Sequence, residues 1–167
     1  NLYTRTGMYA LIKLFNFKAC NYDELYKKIE GYQWNEWIKP SDTIMIRSRI
    51  NSAYFENPQF ATLKIKDGIV DQIRKSVGQR PNIDKENPKF SIFIFIKKDE
   101  VNVLLNSSGV PLSRRGYREK IHKASLNEAL AAGIILFSGW KPNQPLYDPM
   151  CGSGTIPIEA ALYAYNI

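Results

Sequence analysis

The sequence contains few residues of the kinds that form metal sites and disulfide frameworks. Its 167 residues include two cysteines and one histidine. Cys20 and Cys151 lie far apart in unlike surroundings, which argues against both a disulfide framework and a zinc site. Because His122 is the only histidine, a histidine-based metal site within this chain is excluded. We therefore predict that the chain holds no metal.

Long apolar runs, repeats and low-complexity segments are missing as well. No stretch reaches the roughly 18 apolar residues of a membrane helix, and no signal-peptide pattern is present. We therefore expect a cytoplasmic protein without a membrane partner. Hydrophobic residues make up 44% of the chain and aromatic residues 13%, which is a globular composition. Since the chain begins at Asn1 and ends at Ile167 within an amphipathic pattern, we interpret it as part of a longer polypeptide.

The charge balance favours a polyanionic partner. The chain has 23 Lys and Arg residues against 16 Asp and Glu residues, which gives a net charge of +7. Basic surfaces attract nucleic acid because they neutralise its phosphates. Nucleic acid is therefore favoured over a membrane surface.

Residue patterns predict an α/β arrangement for the first two thirds of the chain. Alternating apolar residues predict strands at 9–17 and 43–50, and a hairpin at 90–109 that turns at 98–100. A short helix is predicted at 23–29. Elements in this order favour a mixed sheet with the helices on one side.

The clearest helix is predicted to begin after Asn57 and to end at Gly78. Asn57 is a good N-cap, Pro58 fits the first helical position, and Gly78 is a typical stop. At about 100° per residue, the predicted apolar face consists of Phe60, Leu63, Ile69, Val70, Ile73 and Val77. Lys66 lies inside this face. Either its stem packs and its amine reaches water, or its amine pairs with a carboxylate or an RNA phosphate.

A basic, irregular segment at 109–123 is predicted to be a linker between two parts of the chain. After it, Ser125 is predicted to cap a helix that ends at Phe137, because Glu128 three residues later completes a capping box. A short strand is predicted at 145–148, directly before a glycine-rich turn.

The turn "DPMCGSGTIP" predicts a nucleotide site. An acidic strand end, a glycine loop and a helix N-terminus form the binding turn of doubly wound folds. The turn lacks the lysine of a phosphate-binding P-loop, and Pro157 stands where a dinucleotide fingerprint has its third glycine. S-adenosylmethionine is then the best ligand, since its carboxylate suits the helix end and it has no phosphates. A turn without a ligand is the alternative.

Longer motifs resemble one enzyme family. The stretches "SSGVPLSRRGYR", "SLNEALAAGIILFSGW" and "PLYDPMCGSGTIPIEAAL" resemble the THUMP-domain methyltransferases, related to the N6-adenine-specific DNA methylases, that modify the exocyclic amine of guanine in bacterial large-subunit rRNA. Upstream, "NSAYFENPQFATLKIKDGIVDQ" and "GQRPNIDKENP" resemble the THUMP domain of these enzymes. The resemblance extends over nearly the whole chain.

The resemblance implies an α/β chain with four parts and S-adenosylmethionine as cofactor. These parts are the tail of a ferredoxin-like subdomain at 1–38, an α+β THUMP RNA-binding core at 39–108, a basic linker at 109–124, and the first βα unit of a Rossmann-like methyltransferase domain at 125–167. The implied cofactor loop consists of Asp148, Pro149, Met150, Cys151, Gly152, Ser153, Gly154 and Thr155. Further candidates beside the cofactor are Ser125, Leu126 and Asn127, for which helix capping is an equal alternative.

The catalytic residues are not found in this chain. Family members carry an Asn- or Asp-Pro-Pro-aromatic motif downstream of the glycine loop, and no such motif occurs here. The similar stretches 57–60, "NPQF", and 87–90, "NPKF", lack the second proline and fit a helix start and a strand entry. We therefore expect that this chain alone does not catalyse methyl transfer.

RNA, most readily ribosomal RNA, is the partner that the resemblance implies. The basic and aromatic candidates for RNA contact are Arg47, Arg49, Lys64, Lys66, Arg74, Arg80, Arg114, Arg115, Tyr117 and Arg118. The segment 114–118 is the best subset, and a linker held by salt bridges within the protein is its alternative. Two other functions stay open: a stand-alone RNA-binding module, and an amino-methyltransferase acting on tRNA or on adenine in DNA.

Overall fold

The computed structural model describes residues 4–118 and 125–167, which form two compact units. We call Leu11–Gly109 the sheet unit. Asn1–Ala10 together with Val110–Ile167 is the helical unit. No helix in the part of the chain that is described combines the length and the apolar character needed to cross a bilayer.

The sheet unit is a five-stranded mixed sheet with helices packed on it, which confirms the predicted α/β class. Its strands lie in the order β1-β5-β4-β2-β3; β2 is parallel to β3 and β4, and β5 is antiparallel to β1 and β4. In chain order its elements are β1 (Leu11–Lys18), α1 (Tyr22–Glu30), a 3₁₀ turn (Trp34–Glu36), β2 (Thr43–Asn51), α2 (Pro58–Val77), β3 (Asn82–Ile83), β4 (Phe90–Lys97) and β5 (Glu100–Asn106).

The core lies between the sheet and the two helices. Along β4 the alternate residues Ile92, Ile94 and Ile96 are buried, and Val101 and Val103 of β5 join them. This alternation arises because successive strand side chains point to opposite faces. Each isoleucine taken out of water contributes about 1.5–3 kcal/mol to folding, so this face of the sheet fixes the strand register.

Helix α2 begins and ends where the sequence predicts. The side chain of Asn57 accepts a hydrogen bond from the backbone N–H of Phe60 at 3.0 Å. At the other end Gly78 has φ 76°, and its N–H donates to the carbonyl of Arg74 at 2.8 Å. Cap and stop residues are therefore sufficient to define this helix.

The buried face of α2 differs from the predicted apolar face. The fully buried residues are Ala61, Ile65, Ile69 and Ile73. Three residues of the predicted face are instead exposed to 43–51%: Phe60, Leu63 and Val77. The prediction was therefore wrong for half of its residues.

The difference arises because α2 packs against α1 as well as against the sheet. A Cβ atom on Gly68 would lie 3.0 Å from Ile29 Cγ2 and 3.1 Å from the Tyr26 carbonyl oxygen of α1, so a side chain at this position would crowd the contact between the two helices. Gln72 is buried too, and its side chain accepts from the N–H of Trp34 at 3.1 Å and donates to Asn35 at 2.9 Å. An apolar pattern does not predict that Gly68 and Gln72 are buried, because one is small and the other is polar but fully hydrogen-bonded.

The helical unit contains α3 (Glu128–Ser138) and α4 (Thr155–Ala164). Helix α3 begins later than predicted, because Asn127 and not Ser125 is its N-cap. The Asn127 side chain accepts from the N–H of Leu130 at 3.2 Å, which meets a free donor of the first turn. Both residues are good caps, but Asn127 directly precedes the helix.

The strand predicted at 145–148 is not formed. A strand needs a neighbour to pair its backbone groups, and the described residues of the helical unit include no strand. The glycine turn therefore follows an irregular segment.

Candidate functional site

The glycine turn is a left-handed loop that leads directly into α4. Gly152 and Gly154 have φ values of 54° and 73°, which side-chain-bearing residues rarely adopt. The N–H of Gly154 donates to the carbonyl of Cys151 at 2.8 Å, and the carbonyl of Gly154 accepts from the N–H of Ile158 at 3.0 Å. Upstream, the carboxylate of Asp148 accepts from the N–H of Met150 at 3.2 Å. Short-range bonds thus fix the loop at both ends.

A cavity of about 580 Å³ lies against this loop. It is lined by Asp148, Met150, Cys151, Gly152, Ser153, Thr155, Ile156, Ser125 and Leu126. The structure therefore brings the loop and the segment before α3 together around one cavity; that these residues bind a cofactor, as the resemblance implies, stays a prediction. The lining also includes Ile156, which sequence reasoning missed because an apolar residue in a helix carries no distinct signal.

Three predicted cofactor residues do not line this cavity: Pro149, Gly154 and Asn127. Gly154 is the residue that precedes α4, so its part in the turn is conformational. Asn127 caps α3 and lines a separate cavity of about 480 Å³ in the same unit. Their assignment to the cofactor stays a prediction.

Hydroxyl groups connect the two walls of the cavity. The Ser153 hydroxyl lies 3.1 Å from the Thr155 hydroxyl and 3.5 Å from the Ser125 hydroxyl. Serine and threonine hydroxyls both donate and accept, so these groups can serve a polar ligand.

Arg118 links the segment before α3 to the start of α4. Its Nη2 donates to the carbonyl of Leu126 at 2.5 Å and to the Thr155 hydroxyl at 2.7 Å. Its Nε lies 3.4 Å from the carboxylate of Glu128, the first residue of α3. The rigid, fork-shaped guanidinium thereby holds the starts of α3 and α4 in place.

A second buried cluster surrounds Glu159 of α4. The Tyr117 hydroxyl donates to Glu159 Oε1 at 3.0 Å, and Arg115 Nε lies 2.9 Å from the same oxygen. Arg115 Nη2 also donates to the carbonyl of Arg5 at 2.6 Å. Burial and the hydrogen bond to Glu159 raise the pKa of Tyr117 to about 12, so it stays a neutral donor. The sequence contains one signal for this cluster: Glu159 is a single acidic residue within the apolar stretch "IPIEAAL".

The basic segment 114–118 thus has a mainly internal role. Arg115, Tyr117 and Arg118 direct their side chains into the helical unit. Arg114 is exposed, and its backbone N–H donates to the carbonyl of Pro111. Among the RNA candidates of this segment, Arg114 has the exposed side chain; contact with RNA stays a prediction for all four.

The other RNA candidates lie in the sheet unit. Arg47 and Arg49 are exposed on β2. The Lys64 amine lies 5.6 Å from the centre of the Phe60 ring. Lys66 pairs with Asp67 at 3.0 Å and lines a groove of about 390 Å³, so its stem packs while its amine stays near water. Two exposed arginines lie at and beyond the end of α2: Arg74 and Arg80.

Comparisons with known families match both units. The THUMP domain family model matches residues 19–106, which is more than half of the chain. The model described as "RMKL-like, methyltransferase domain" matches residues 115–167.

Two curated relatives match over the whole chain. The first, slr0064 of Synechocystis sp. (strain ATCC 27184 / PCC 6803 / Kazusa), is assigned as an RNA methyltransferase; it is 36% identical over 167 residues, which are 100% of this chain and 44% of that protein. The second, ribosomal RNA large subunit methyltransferase K/L of Marinomonas sp. (strain MWYL1), is 36% identical over 169 residues, 99% of this chain and 23% of that protein. The chain therefore spans less than half the length of these relatives.

Two solved structures share the fold. One is a protein from Listeria monocytogenes str. 4b F2365 assigned as an N6-adenine-specific DNA methylase, with 31% identity and a TM-score of 0.83 over 98% of this chain and 43% of that chain. The other is SMU.472, assigned as a methyltransferase and complexed with SAH, with 29% identity and a TM-score of 0.79 over 98% of this chain and 44% of that chain.

Fold and site together define an α/β chain in which a mixed-sheet module precedes a methyltransferase-type loop and helix. The chain belongs to the THUMP-domain family, and its C-terminal part is an RMKL-like methyltransferase segment.

Proposed function

We propose that this chain is the RNA-binding part and the cofactor loop of an S-adenosylmethionine-dependent methyltransferase. Its substrate is the exocyclic amine of guanine in large-subunit rRNA, which places the protein in the cytoplasm. The observation that carries the proposal is the cavity of about 580 Å³ between the glycine turn and Ser125–Leu126. The relative named as a ribosomal RNA large subunit methyltransferase supports the RNA substrate.

The cavity residues fit the methyl donor. Helix α4 offers the backbone N–H groups of Thr155 and Ile156 to its carboxylate, since Pro157 has no N–H and that of Ile158 donates to Gly154. The hydroxyls of Ser125 and Ser153 offer hydrogen bonds to its polar groups. The apolar side chains of Leu126, Met150 and Ile156 offer a surface for its adenine ring. When bound, the donor supplies an electrophilic methyl group on its sulfonium. SMU.472, which was solved with SAH, supports this choice of ligand.

We further propose that THUMP residues 39–108, preceded by the tail at 1–38, bind the RNA, while 109–124 links them to the methyltransferase part at 125–167. The segment at 119–124 lies outside the described residues. The sequence contains no Asn- or Asp-Pro-Pro-aromatic motif. We infer that this chain alone does not align an amine with the methyl donor, since alignment supplies much of the rate in such reactions.

Methyl transfer tests the proposal. The natural polypeptide that contains this chain would be incubated with radiolabelled S-adenosylmethionine and large-subunit rRNA, tRNA or DNA, and the products would be digested for mass spectrometry. We expect N2-methylguanosine from the rRNA, and no incorporation by residues 1–167 alone. Incorporation by the 167-residue chain would contradict the inferred inactivity.

A second candidate is adenine N6 methylation of DNA. The likeness to the Listeria protein assigned as an N6-adenine-specific DNA methylase favours it. N6-methyladenine formed in DNA, with no label in RNA, would select this candidate over the first.

A further inference from the structure

The sheet unit has a second face that carries arginines, lysines, amides and aromatic rings. Strand residues that alternate with the buried core residues point to this side. We call it the open face and define it by Lys13, Asn16, Arg47, Arg49, Phe93, Phe95, Lys97, Asn102 and Leu104. Most of these side chains are exposed, and Phe95 is 37% exposed although it lies on an inner strand.

The strand register places these residues in rows across four strands. Arg49 pairs with Phe95, Phe95 with Asn102, and Asn102 with Asn16. Neighbouring strands lie about 4.8 Å apart, so this row is about 14 Å long. A guanidinium, a ring and two amides therefore lie side by side, and the length of their row matches a few nucleotides of a single strand.

The centre of the open face is aromatic. The rings of Phe93 and Phe95 have their centres 6.4 Å apart and are tilted by 30°. Phe93 is almost fully buried, with the Arg47 guanidinium 5.9 Å from its ring centre, whereas Phe95 presents its ring to solvent. Phe95 is thus the ring of this pair that a planar ligand can reach.

The charge on the open face is strongly positive. Lys13, Arg47, Arg49 and Lys97 are its cations, and Glu100 at its rim is the single acidic residue in the four long strands. Phosphates provide the complementary charge. An exposed apolar ring among cations and amides suits a nucleic acid better than an acidic protein surface, which would leave the ring and the amides without partners.

We propose that the open face binds single-stranded RNA. An unpaired base stacks on Phe95, Arg49 contacts the adjacent phosphate, and the amides of Asn102 and Asn16 meet the edges of neighbouring bases. Exposed aromatic rings on a sheet bind unpaired bases in this way, whereas the bases of a duplex are not free to stack on a protein. The inference rests on the proposed RNA substrate and names the surface that receives it.

Fluorescence anisotropy tests the proposal with the whole chain. The probes are a fluorescein-labelled 12-nucleotide oligouridine and a 12-base-pair RNA duplex, titrated at several salt concentrations. We expect tighter binding of the single strand than of the duplex. Phe95→Leu, which keeps an apolar side chain but removes the ring, weakens single-strand binding about tenfold. Arg49→Gln lowers the slope of log K against log salt by about 0.7, the contribution of one phosphate on a single strand.

Matched controls lie outside the open face. Tyr54→Leu removes an exposed ring that follows β2, and Lys28→Gln removes an exposed cation on α1, which packs on the core side. Both controls bind RNA as the unaltered chain does. Circular dichroism melting reports whether Phe95→Leu folds. Because Arg49 is exposed, its variant keeps the test valid if Phe95→Leu does not fold.

Three results would overturn the inference. If the unaltered chain binds the single strand and both open-face variants bind equally well, RNA uses another surface and the proposed function stands. If the unaltered chain binds neither probe, the RNA part of the proposed function falls as well. If sedimentation reveals a dimer that Phe95→Leu dissociates without any effect on RNA, the open face belongs to a second copy of this chain.

Discussion

Glu159 directs two residues of the basic segment into the helical unit. Its side chain is 0% exposed, and Oε2 has no hydrogen-bond partner among the residues described. A buried carboxylate is costly unless cations and donors surround it. Arg115 supplies a cation and Tyr117 a donor, both at Oε1, so these two predicted RNA contacts have partners inside the helical unit.

The charge of Arg115 therefore stabilises this unit. We predict that Arg115→Gln lowers the free energy of unfolding by about 3–5 kcal/mol, because it leaves the Glu159 carboxylate buried without its cation. Native-state hydrogen exchange of the α4 amides measures this change.

The neighbouring residue provides the control. Arg114→Gln removes the same charge from an exposed side chain and changes the free energy of unfolding by no more than about 0.5 kcal/mol. The double variant with Glu159→Gln should recover part of the loss. Equal effects of the two arginine variants would refute the account of this cluster.

The glycine turn could be predicted from the sequence, but the direction of the nearby side chains could not; that the turn holds a cofactor stays a prediction. The glycine turn is found because positive φ values and helix capping are local requirements that leave a local signature. The inward direction of Arg115 and Arg118 depends on Glu159 and Thr155, which lie about 40 residues further along the chain. No local pattern contains that information.

Among helices and strands, ion pairs at element ends connect pieces of the sheet unit. Lys75 near the end of α2 bonds Glu30 at the end of α1, and Lys89 bonds Asp42 just before β2. The hydrogen bond from Lys75 lowers the pKa of Glu30. For Asp42, burial alone would raise the pKa, but the bonds from Lys89 and from the N–H of Lys39 outweigh it and lower the pKa.

These shifts predict an acid-sensitive sheet unit. A carboxylate with a lowered folded-state pKa adds stability above its ordinary pKa, near 4, and this stability is lost as the pH falls through the lowered value. We therefore expect the urea midpoint of unfolding to fall between pH 5 and pH 3. The NMR signal of the Trp34 indole N–H, which donates to the carbonyl of Ile29, reports unfolding of the sheet unit. Glu30→Gln should lose stability at pH 7 and show a smaller further loss on acidification. An unchanged pH dependence in this variant would argue against the role of the Glu30 pair.

Element ends were predicted well and buried faces less well. The hairpin turn at Lys98–Asp99 and both ends of α2 follow from residues with strong local preferences. The buried face of α2 depends on its contact with α1 through Gly68, a tertiary interaction that overrides the apolar pattern. The missing strand at 145–148 has the same kind of cause, because pairing needs a partner from elsewhere in the chain.

The molecule as a whole joins a mixed-sheet module to a methyltransferase segment. The order of these parts could be predicted from the resemblance, and the family models match it. The residue patterns also placed β1 in a mixed sheet, but its partner strand could not be predicted, since β1 pairs with the distant β5, Leu11 with Asn106. The division predicted after residue 38 stays a prediction, although β1 and α1 lie in the same unit as the later strands.

The central claim is that the glycine turn binds a methyl donor, and SAH binding to the isotope-labelled chain tests it most directly. We predict that SAH shifts the amide signals of Gly152, Ser153 and Gly154 and leaves the sheet unit unchanged. Gly152→Ala should weaken this binding about tenfold, because the methyl group strains a positive-φ position of a residue that lines the cavity. Gly139→Ala, with a similar φ of 70° at the end of α3 but outside the cavity lining, should bind as the unaltered chain does. No shift at the turn with millimolar SAH, or equal losses in the two variants, would contradict the claim.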